Sequence, residues 1–364
     1  EGLFLQWDGF KWIQAPLKHG LDLNRNFPVY WLPFQMFGMD GGAYSLSEPE
    51  SRALMDAVAA RPGIAAGLTN HTYTGAILTQ PYHPDTALPE SDINLMERLA
   101  EEAVEGTGYR VMRVHPDFTY DPKKRIIGVW ADCLTTTMGI PAYTLELWDP
   151  FGWAGVEVDK PAEFFRKPDP AVVNAVLAKA AEEGSFSYWT PFRHPQLGEV
   201  ELGGIDHLQT IRNPPPSLLK EECEKGFKVA DAIRFSLPQL NVELEIRRLG
   251  IELNQVEALV ENTGFLSTTS LSRARDIGSA SGVRLWLEVP GGVELVEGSQ
   301  EQDLGRLEGW GDWQVSSAQN PVYPKLPAAG HRGKGSWIIR GAGELLLFWS
   351  GGRAGSGSRV VSLD

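Results

Sequence analysis

The sequence predicts an α/β fold with a mixed, mostly parallel sheet and helices on both faces, followed by an all-β immunoglobulin-like sandwich. Helical and strand-like segments alternate up to about residue 238, as expected when helices connect the strands of a sheet. After residue 238, apolar residues alternate with charged residues at period two, and no helical pattern returns. The predicted domains are therefore residues 1–238 and 239–364.

Helix starts are recognisable in the first part of the chain. Ser47-Glu48-Pro49-Glu50 is a capping box with proline in the first turn, which predicts a helix to about residue 60. Ser91 caps a second helix with one apolar face, and Asp169-Pro170 opens a later helix. Further helices are predicted over residues 130–138 and 218–236.

Strands are predicted where short apolar runs stand between these helices, at residues 63–69, 109–114 and 142–147. The stretch 185–216 is irregular apart from a strand-like run at residues 198–202. In the second part, alternating runs at residues 242–246, 256–260 and 283–289 are separated by turn signals such as Asn262-Thr263-Gly264. Short strands at this spacing are typical of a sandwich.

Composition argues against several classes of partner. Lys and Arg number 33 against 47 Asp and Glu, a net charge of -14, which disfavours nucleic-acid binding. No stretch approaches the ~20 apolar residues of a membrane-spanning helix. Cys133 and Cys223 form no C-x-x-C pair and have apolar neighbours, which predicts buried free thiols and favours a reducing compartment such as the cytoplasm.

The first segment with candidate chemistry is Asn24-Arg25-Asn26, which lies in an apolar setting. A guanidinium binds a carboxylate through two parallel hydrogen bonds, and a neighbouring amide can add a third. The segment therefore favours a carboxylate-binding site. The alternative is an asparagine-rich turn with a solvated arginine.

The second candidate is His71, which is predicted to lie just past the end of a buried strand. Ligands of open α/β sheets bind outside the carboxyl ends of the strands. A neutral imidazole at this position suits zinc. The alternative is a hydrogen-bonded loop histidine.

The third candidate is Glu146, a carboxylate within the otherwise apolar strand 142–147. Burial of an unpaired charge is costly, so such a glutamate is either paired or functional. Desolvation raises the pKa of a carboxyl group toward the range of a general base. A structural ion pair is the alternative.

In this order the three segments resemble the zinc carboxypeptidases of the carboxypeptidase A/B type, over residues 1–238. That family shows an Asp-Leu-Asn-Arg-Asn-Phe segment, then a His-Ser-Tyr-like segment, then a Thr-x-Glu-Leu-Arg-Asp-like segment. The separation of His71 and Glu146 is also similar to the family's. The predicted sandwich resembles accessory domains attached to such enzymes.

The resemblance implies a role for each residue and a single zinc ion. His71 would be the third zinc ligand, and Asn24 with Arg25 would bind the C-terminal carboxylate of a peptide substrate. Glu146 would take a proton from the zinc-bound water and pass it to the leaving amine.

Two further assignments follow from the resemblance. Tyr120 lies in the loop that carries the family's mobile tyrosine. The residue at the base of the specificity pocket corresponds to Asp132 or Ala131, and Asp132 would predict a preference for C-terminal Lys or Arg. An acidic residue at a helix start is the alternative for Asp132. Trp148 stands where the family often has arginine.

The sequence also departs from the family pattern. None of the seven histidines is followed by Glu three residues later, so the His-x-x-Glu motif with the first two zinc ligands is absent. The family's transition-state arginine is expected in the same stretch. Because one protein ligand cannot hold catalytic zinc, we expect two ligands from a segment preceding Glu1 of the same protein. Residues 1–364 by themselves should then be inactive and bind zinc poorly.

Three functions remain open at this point. The first is an exopeptidase that removes C-terminal residues from peptides, which the Asn24-Arg25 pair favours. The second is deacylation of amino-acid conjugates, or hydrolysis of cell-wall peptides, on the same fold. The third is a non-catalytic scaffold that binds peptides.

Overall fold

The computed structural model describes residues 20–33, 35–36, 39–120, 125–318, 322 and 329–363. The first part of the chain contains β1 (Gln35–Met36), β2 (Met39–Asp40), α1 (Pro49–Ala59), β3 (Gly67–Thr72), β4 (Ala76–Thr79), α2 (Glu90–Val104), β5 (Arg110–Arg113), α3 (Val114–Asp117), α4 (Trp130–Met138), β6 (Ala142–Leu147), α5 (Pro150–Trp153), α6 (Pro161–Arg166), α7 (Pro170–Glu182), β7 (Phe186–His194), β8 (Gly198–Ile205) and α8 (Leu219–Phe235). The second part contains β9 (Leu240–Gly250), β10 (Leu253–Asn262), α9 (Ser272–Asp276), β11 (Val283–Glu288), β12 (Glu294–Glu297), β13 (Glu301–Gly305), α10 (Trp310–Ala318), β14 (Arg332–Arg340), β15 (Gly343–Ser350) and β16 (Ser356–Leu363).

A mixed four-stranded sheet lies at the centre of the first part, in the order β3-β6-β4-β5. β3 pairs with β6 in parallel, β6 with β4 antiparallel, and β4 with β5 in parallel. Helices pack on both faces of this sheet, so the predicted α/β architecture is confirmed. The strand predicted over residues 142–147 is found at those residues.

The two faces of the sheet carry separate apolar cores. Tyr143 and Leu145 of β6 pack with residues of α2 and α8 on one face. Ala142 packs with residues of α1 and α4 on the other face. Because side chains alternate along a strand, Thr144 and Glu146 belong to the same face as Ala142.

The second part is a sandwich of two antiparallel sheets, in the orders β12-β14-β10-β9 and β13-β11-β15-β16. The alternating residues of β10 and β11 turn their apolar side chains into the core between the sheets, together with the fully buried Trp337 of β14. This arrangement confirms the sandwich that the period-two pattern predicts.

The two parts meet at the end of α4. Arg353 is buried and donates hydrogen bonds to the carbonyl oxygens of Met138, Gly139 and Thr269 at 2.5, 2.6 and 2.7 Å. Gly139 has a φ of 63°, and a Cβ there would meet the backbone nitrogen of Ala274 at 2.3 Å. The helix that precedes β6 is therefore seated directly on the sandwich.

Some local predictions were wrong. The stretch expected to be irregular contains the hairpin β7-β8, whose apolar side chains, such as Tyr188 and Phe192, are largely exposed. Cys133 is buried as predicted, but Cys223 is exposed because it lies on the outer face of α8. No helix within the described ranges is long and apolar enough to cross a membrane.

Candidate active site

A cavity of about 450 Å³ opens at the carboxyl ends of β3 and β6. Five of the residues singled out in the sequence line it, namely Asn24, Arg25, His71, Tyr120 and Glu146. The other lining residues are Asp22, Met39, Thr72, Tyr73, Leu78, Tyr82, Val114, Phe118, Ile126, Val129, Thr144, Phe165 and Arg212. Side chains that are far apart in sequence thus meet in one cleft.

The Asn24-Arg25 segment forms a single 3₁₀ turn, Leu23–Arg25. The carboxylate of Asp22 accepts a hydrogen bond from the backbone N–H of Asn24 at 3.0 Å and so caps the turn. Gly128 approaches closely, because a Cβ at this position would lie 2.4 Å from the carbonyl oxygen of Arg25. Its φ of 63° also favours glycine.

Asn26 fixes the turn to the start of α1. Its buried amide nitrogen donates to the carbonyl oxygens of Gly41 and Tyr44 and to the hydroxyl of Ser47, and its amide oxygen accepts from Glu48 N–H. The predicted capping box is therefore wrong in detail: the Ser47 hydroxyl donates to the Glu48 carboxylate, and α1 begins without a side-chain cap of its own.

Asn24 and Arg25 are oriented by the protein before any ligand is present. The amide oxygen of Asn24 accepts a hydrogen bond from Trp130 N–H at 2.9 Å, which directs its NH₂ group away from the start of α4. Arg25 is 8% exposed, donates through Nη1 to the carbonyl oxygen of Asn24 at 2.7 Å, and lies 3.8 Å from the carboxylate of Asp22. The amide and the guanidinium form one side of the cavity.

His71 and Glu146 are neighbours across the sheet. They are register partners of the parallel strands β3 and β6, so their side chains leave the same face of the sheet. Nδ1 of His71 lies 4.0 Å from Oε1 of Glu146. His71 belongs to β3 itself, because that strand extends to Thr72 and not to residue 69 as predicted.

Burial controls the protonation of both groups. It raises the pKa of Glu146, which is 7% exposed, to about 8, and the guanidinium groups of Arg212 and Arg25 oppose this shift. Burial also lowers the pKa of His71, as does the charge of Arg25, whereas Asp22 acts in the opposite direction. In the described chain both side chains therefore favour their neutral forms near pH 7.

Two tyrosines form an aromatic wall of the cavity. The ring of Tyr120 lies 5.9 Å from that of Phe118 and 6.5 Å from that of Phe165. Tyr73 packs 5.2 Å from Phe165 on the other side. Burial raises the pKa of both tyrosine hydroxyls, so they remain protonated donors at neutral pH.

Asp132 is not brought to the cavity with the other candidate residues. Its buried carboxylate accepts hydrogen bonds from Gln80 and Thr136 at 2.8 and 2.9 Å, and its second oxygen lies 4.0 Å from Nε2 of His83. Burial raises its pKa to about 6. Ala131 is also buried and packs in the core beneath α4.

Arg212 was missed in the sequence. It ends a π-helical turn, Leu208–Arg212, and its guanidinium lies 5.3 Å from the ring centre of Tyr73 at the cavity. The segment has no helical or strand periodicity, and a lone arginine before Asn213-Pro214 carries no distinctive signal. Only the arrangement in space reveals this residue.

The described residues do not fit a zinc site by themselves. Within the described ranges, no three His, Cys, Asp or Glu side chains lie close enough together to hold a metal ion. Catalytic zinc takes three protein ligands, and His71 with the neighbouring Glu146 falls short of that set.

Comparison with known families supports the predicted relationship. Residues 9–153 match the family model for zinc carboxypeptidase, and residues 240–362 match a domain of unknown function, DUF8731. The relationship predicted from the three motifs is thus confirmed for the first of these ranges. No curated protein matches the chain.

Solved structures give distant matches. Thrombin activatable fibrinolysis inhibitor is 23% identical, with 45% of this chain and 42% of that chain covered at a TM-score of 0.28. The bovine form in complex with tick carboxypeptidase inhibitor is 22% identical, with 45% and 56% covered at 0.29. The match spans about half the length of these proteins. The GAE domain of GGA2p from Saccharomyces cerevisiae is 15% identical, with 35% and 90% covered at 0.21.

Proposed function

We propose that the cavity binds the last residue of a peptide through its free α-carboxylate, as the substrate-anchoring part of a zinc carboxypeptidase domain. The observation that carries the proposal is that Asn24 and Arg25 share one cavity with His71 and Glu146. An exopeptidase needs these two sets of groups together, because the group that recognises the chain end must stand close to the groups that act on the last peptide bond.

The α-carboxylate would lie against the guanidinium of Arg25 and the NH₂ group of Asn24. Charge-assisted hydrogen bonds from a buried arginine are among the stronger polar contacts in proteins. The hydrogen bond from Trp130 N–H to Asn24 holds the amide in place, so little side-chain freedom is lost on binding.

Glu146 is suited to hold and transfer a proton next to the bound peptide. Its raised pKa lets it exchange a proton near neutral pH, and it stands beside His71. A zinc ion at His71 would need further protein ligands that the described residues do not supply. We therefore expect the chain, assayed by itself, to bind peptides without cleaving them, which also makes non-catalytic peptide binding the second candidate function.

The test is a binding comparison between acetyl-Ala-Ala-Gln and the same peptide with a C-terminal amide, by titration calorimetry or ligand-observed NMR. The free acid should bind measurably, and the amide should bind about 30-fold more weakly or not at all. Arg25→Gln should lower affinity for the acid to the level of the amide.

Arg98→Gln is the matched control, because Arg98 is exposed on α2 and outside the cavity. Equal binding of acid and amide, or unchanged binding by Arg25→Gln, would contradict the proposal. Product analysis by mass spectrometry with added zinc should show no cleavage by this chain, and cleavage would contradict the expected inactivity.

A further inference from the structure

The cavity carries a second guanidinium, that of Arg212, which lies against Tyr73 just after the end of β3. Arg212 lines the same cavity as Arg25 and is exposed to solvent. It lies over the face of Tyr73, at 5.3 Å from the ring centre, which is the geometry of a cation–π contact. The cavity therefore has two guanidinium groups.

The position of Arg212 is set by the residues around Glu146. The indole N–H of Trp148, two residues after Glu146, donates to the carbonyl oxygen of Thr210 at 3.1 Å, and both residues are buried. The carboxylate of Asp206 accepts from the N–H groups of Leu208 and Gln209 and caps the start of the turn. The turn that ends at Arg212 is therefore held at its start by Asp206 and at Thr210 by Trp148.

The acidic residues that line the cavity leave the guanidinium of Arg212 available to a ligand. Two lining residues are acidic, Asp22 and Glu146. Asp22 faces Arg25 at 3.8 Å. Burial raises the pKa of Glu146 and the positive charge of Arg212 acts to lower it, but the two side chains form no ion pair. In the part of the chain that the structure describes, the guanidinium of Arg212 pairs with no carboxylate.

We propose that Arg212 binds a second carboxylate of the substrate, so that the cavity prefers peptides with Glu or Asp among their last two residues. The proposal rests on the proposed function, because Arg25 and Asn24 must hold the α-carboxylate first. One anionic group on each guanidinium would balance a cavity whose own carboxylates are occupied or buried. This preference is opposite to the one that a pocket aspartate at position 132 would give.

The experiment measures the affinity of the chain for two matched peptide pairs: acetyl-Ala-Ala-Glu with acetyl-Ala-Ala-Gln, and acetyl-Ala-Glu-Ala with acetyl-Ala-Gln-Ala. In at least one pair the Glu peptide should bind about three- to tenfold more tightly at low salt. The preference should shrink in about 0.5 M NaCl, because the guanidinium of Arg212 is exposed.

Arg212→Gln should abolish the preference within each pair, because the Glu peptides should lose the affinity that distinguishes them from the Gln peptides. Arg193→Gln is the matched control, because it removes an exposed arginine of the neighbouring hairpin without touching the cavity. Equal affinities within both pairs, or a preference that survives Arg212→Gln, would overturn the inference. Failure of the proposed function would appear differently, as binding of all four peptides that is insensitive to Arg25→Gln.

Discussion

Two groups of residues that line the cavity are held in place by different means. We call them the strand side, which is His71 and Glu146, and the Arg212 side, which is Arg212 with its π-helical turn. His71 and Glu146 are fixed by the register of two parallel strands whose backbone hydrogen bonds continue into the core. Arg212 ends a π-helical turn beyond an exposed hairpin, and this turn is held by the indole hydrogen bond from Trp148 and by the Asp206 carboxylate at its start. The strand side therefore belongs to the central sheet, whereas the Arg212 side is a separate segment that contacts the sheet region through Trp148.

This difference indicates how each side should respond to substitution. The strand side depends on the global stability of the first part, including the contact of α4 with the sandwich. The Arg212 side depends on local contacts, so it can change without loss of the fold. Substrate preference could then vary independently of the groups at the strand ends.

The largest effect is expected for Arg353→Met, which removes the hydrogen bonds from the sandwich to the end of α4. Three carbonyl oxygens would lose a charged donor in a buried site, at a cost of about 3 kcal/mol in the free energy of unfolding. Urea denaturation measures this cost. Arg359→Met is the control, because Arg359 is exposed and bonds to a single carbonyl.

If Arg353→Met and Arg359→Met have equal free energies of unfolding, the stability of the strand side does not depend on the contact of α4 with the sandwich. That result would contradict the proposed difference between the strand side and the Arg212 side.

The next effect concerns Asp132, whose carboxylate is buried in the first turn of α4. Burial raises the pKa of Asp132 in the folded protein to about 6, from an ordinary value of 3.8. The folded state therefore holds the proton more tightly than the unfolded state, and stability is lost as pH rises through this interval. Relative to Asp132→Asn, the protein should lose on the order of 3 kcal/mol between pH 4 and pH 8.

Urea denaturation at several pH values checks this expectation. Asparagine keeps an acceptor for Gln80 and Thr136 but cannot ionise. Parallel profiles of stability against pH for the two proteins would show that the pKa of Asp132 is not raised in the folded state.

A smaller effect is expected for Trp148→Phe, which removes the hydrogen bond to Thr210 and keeps most of the aromatic surface. The carbonyl of Thr210 would be left without its donor, so stability should fall by about 1 kcal/mol. The preference for Glu over Gln peptides should fall to near unity, whereas dependence on Arg25 should persist.

Trp153→Phe makes the same change in a neighbouring indole, whose ring centre is 5.6 Å from that of Trp148. A preference retained in Trp148→Phe, or lost equally in both variants, would contradict local control of Arg212.

The strand side could be predicted from the sequence because its signals are local. β6 alternates in period two, and a glutamate in such an apolar strand is conspicuous. Residue spacing alone does not reveal that His71 and Glu146 are register partners, since this pairing depends on the order of strands in the sheet. The resemblance to a known family assigned both residues to one zinc site, but it did not specify this pairing.

The Arg212 side could not be predicted for a physical reason. The hairpin β7-β8 buries little on either face, so its sequence shows no clear alternation. The π-helical turn that follows has no periodic signature of its own. Asp132 illustrates the converse, because an acid at a helix start looks functional in sequence, yet it hydrogen-bonds to buried side chains.

The most direct test of the account is a crystal structure of this chain with acetyl-Ala-Ala-Glu bound. We expect the α-carboxylate of the peptide against Arg25 and the NH₂ group of Asn24, with its last peptide bond beside Glu146. A peptide bound with its C-terminus pointing out of the cavity, or at a surface that excludes Arg25, would contradict the account.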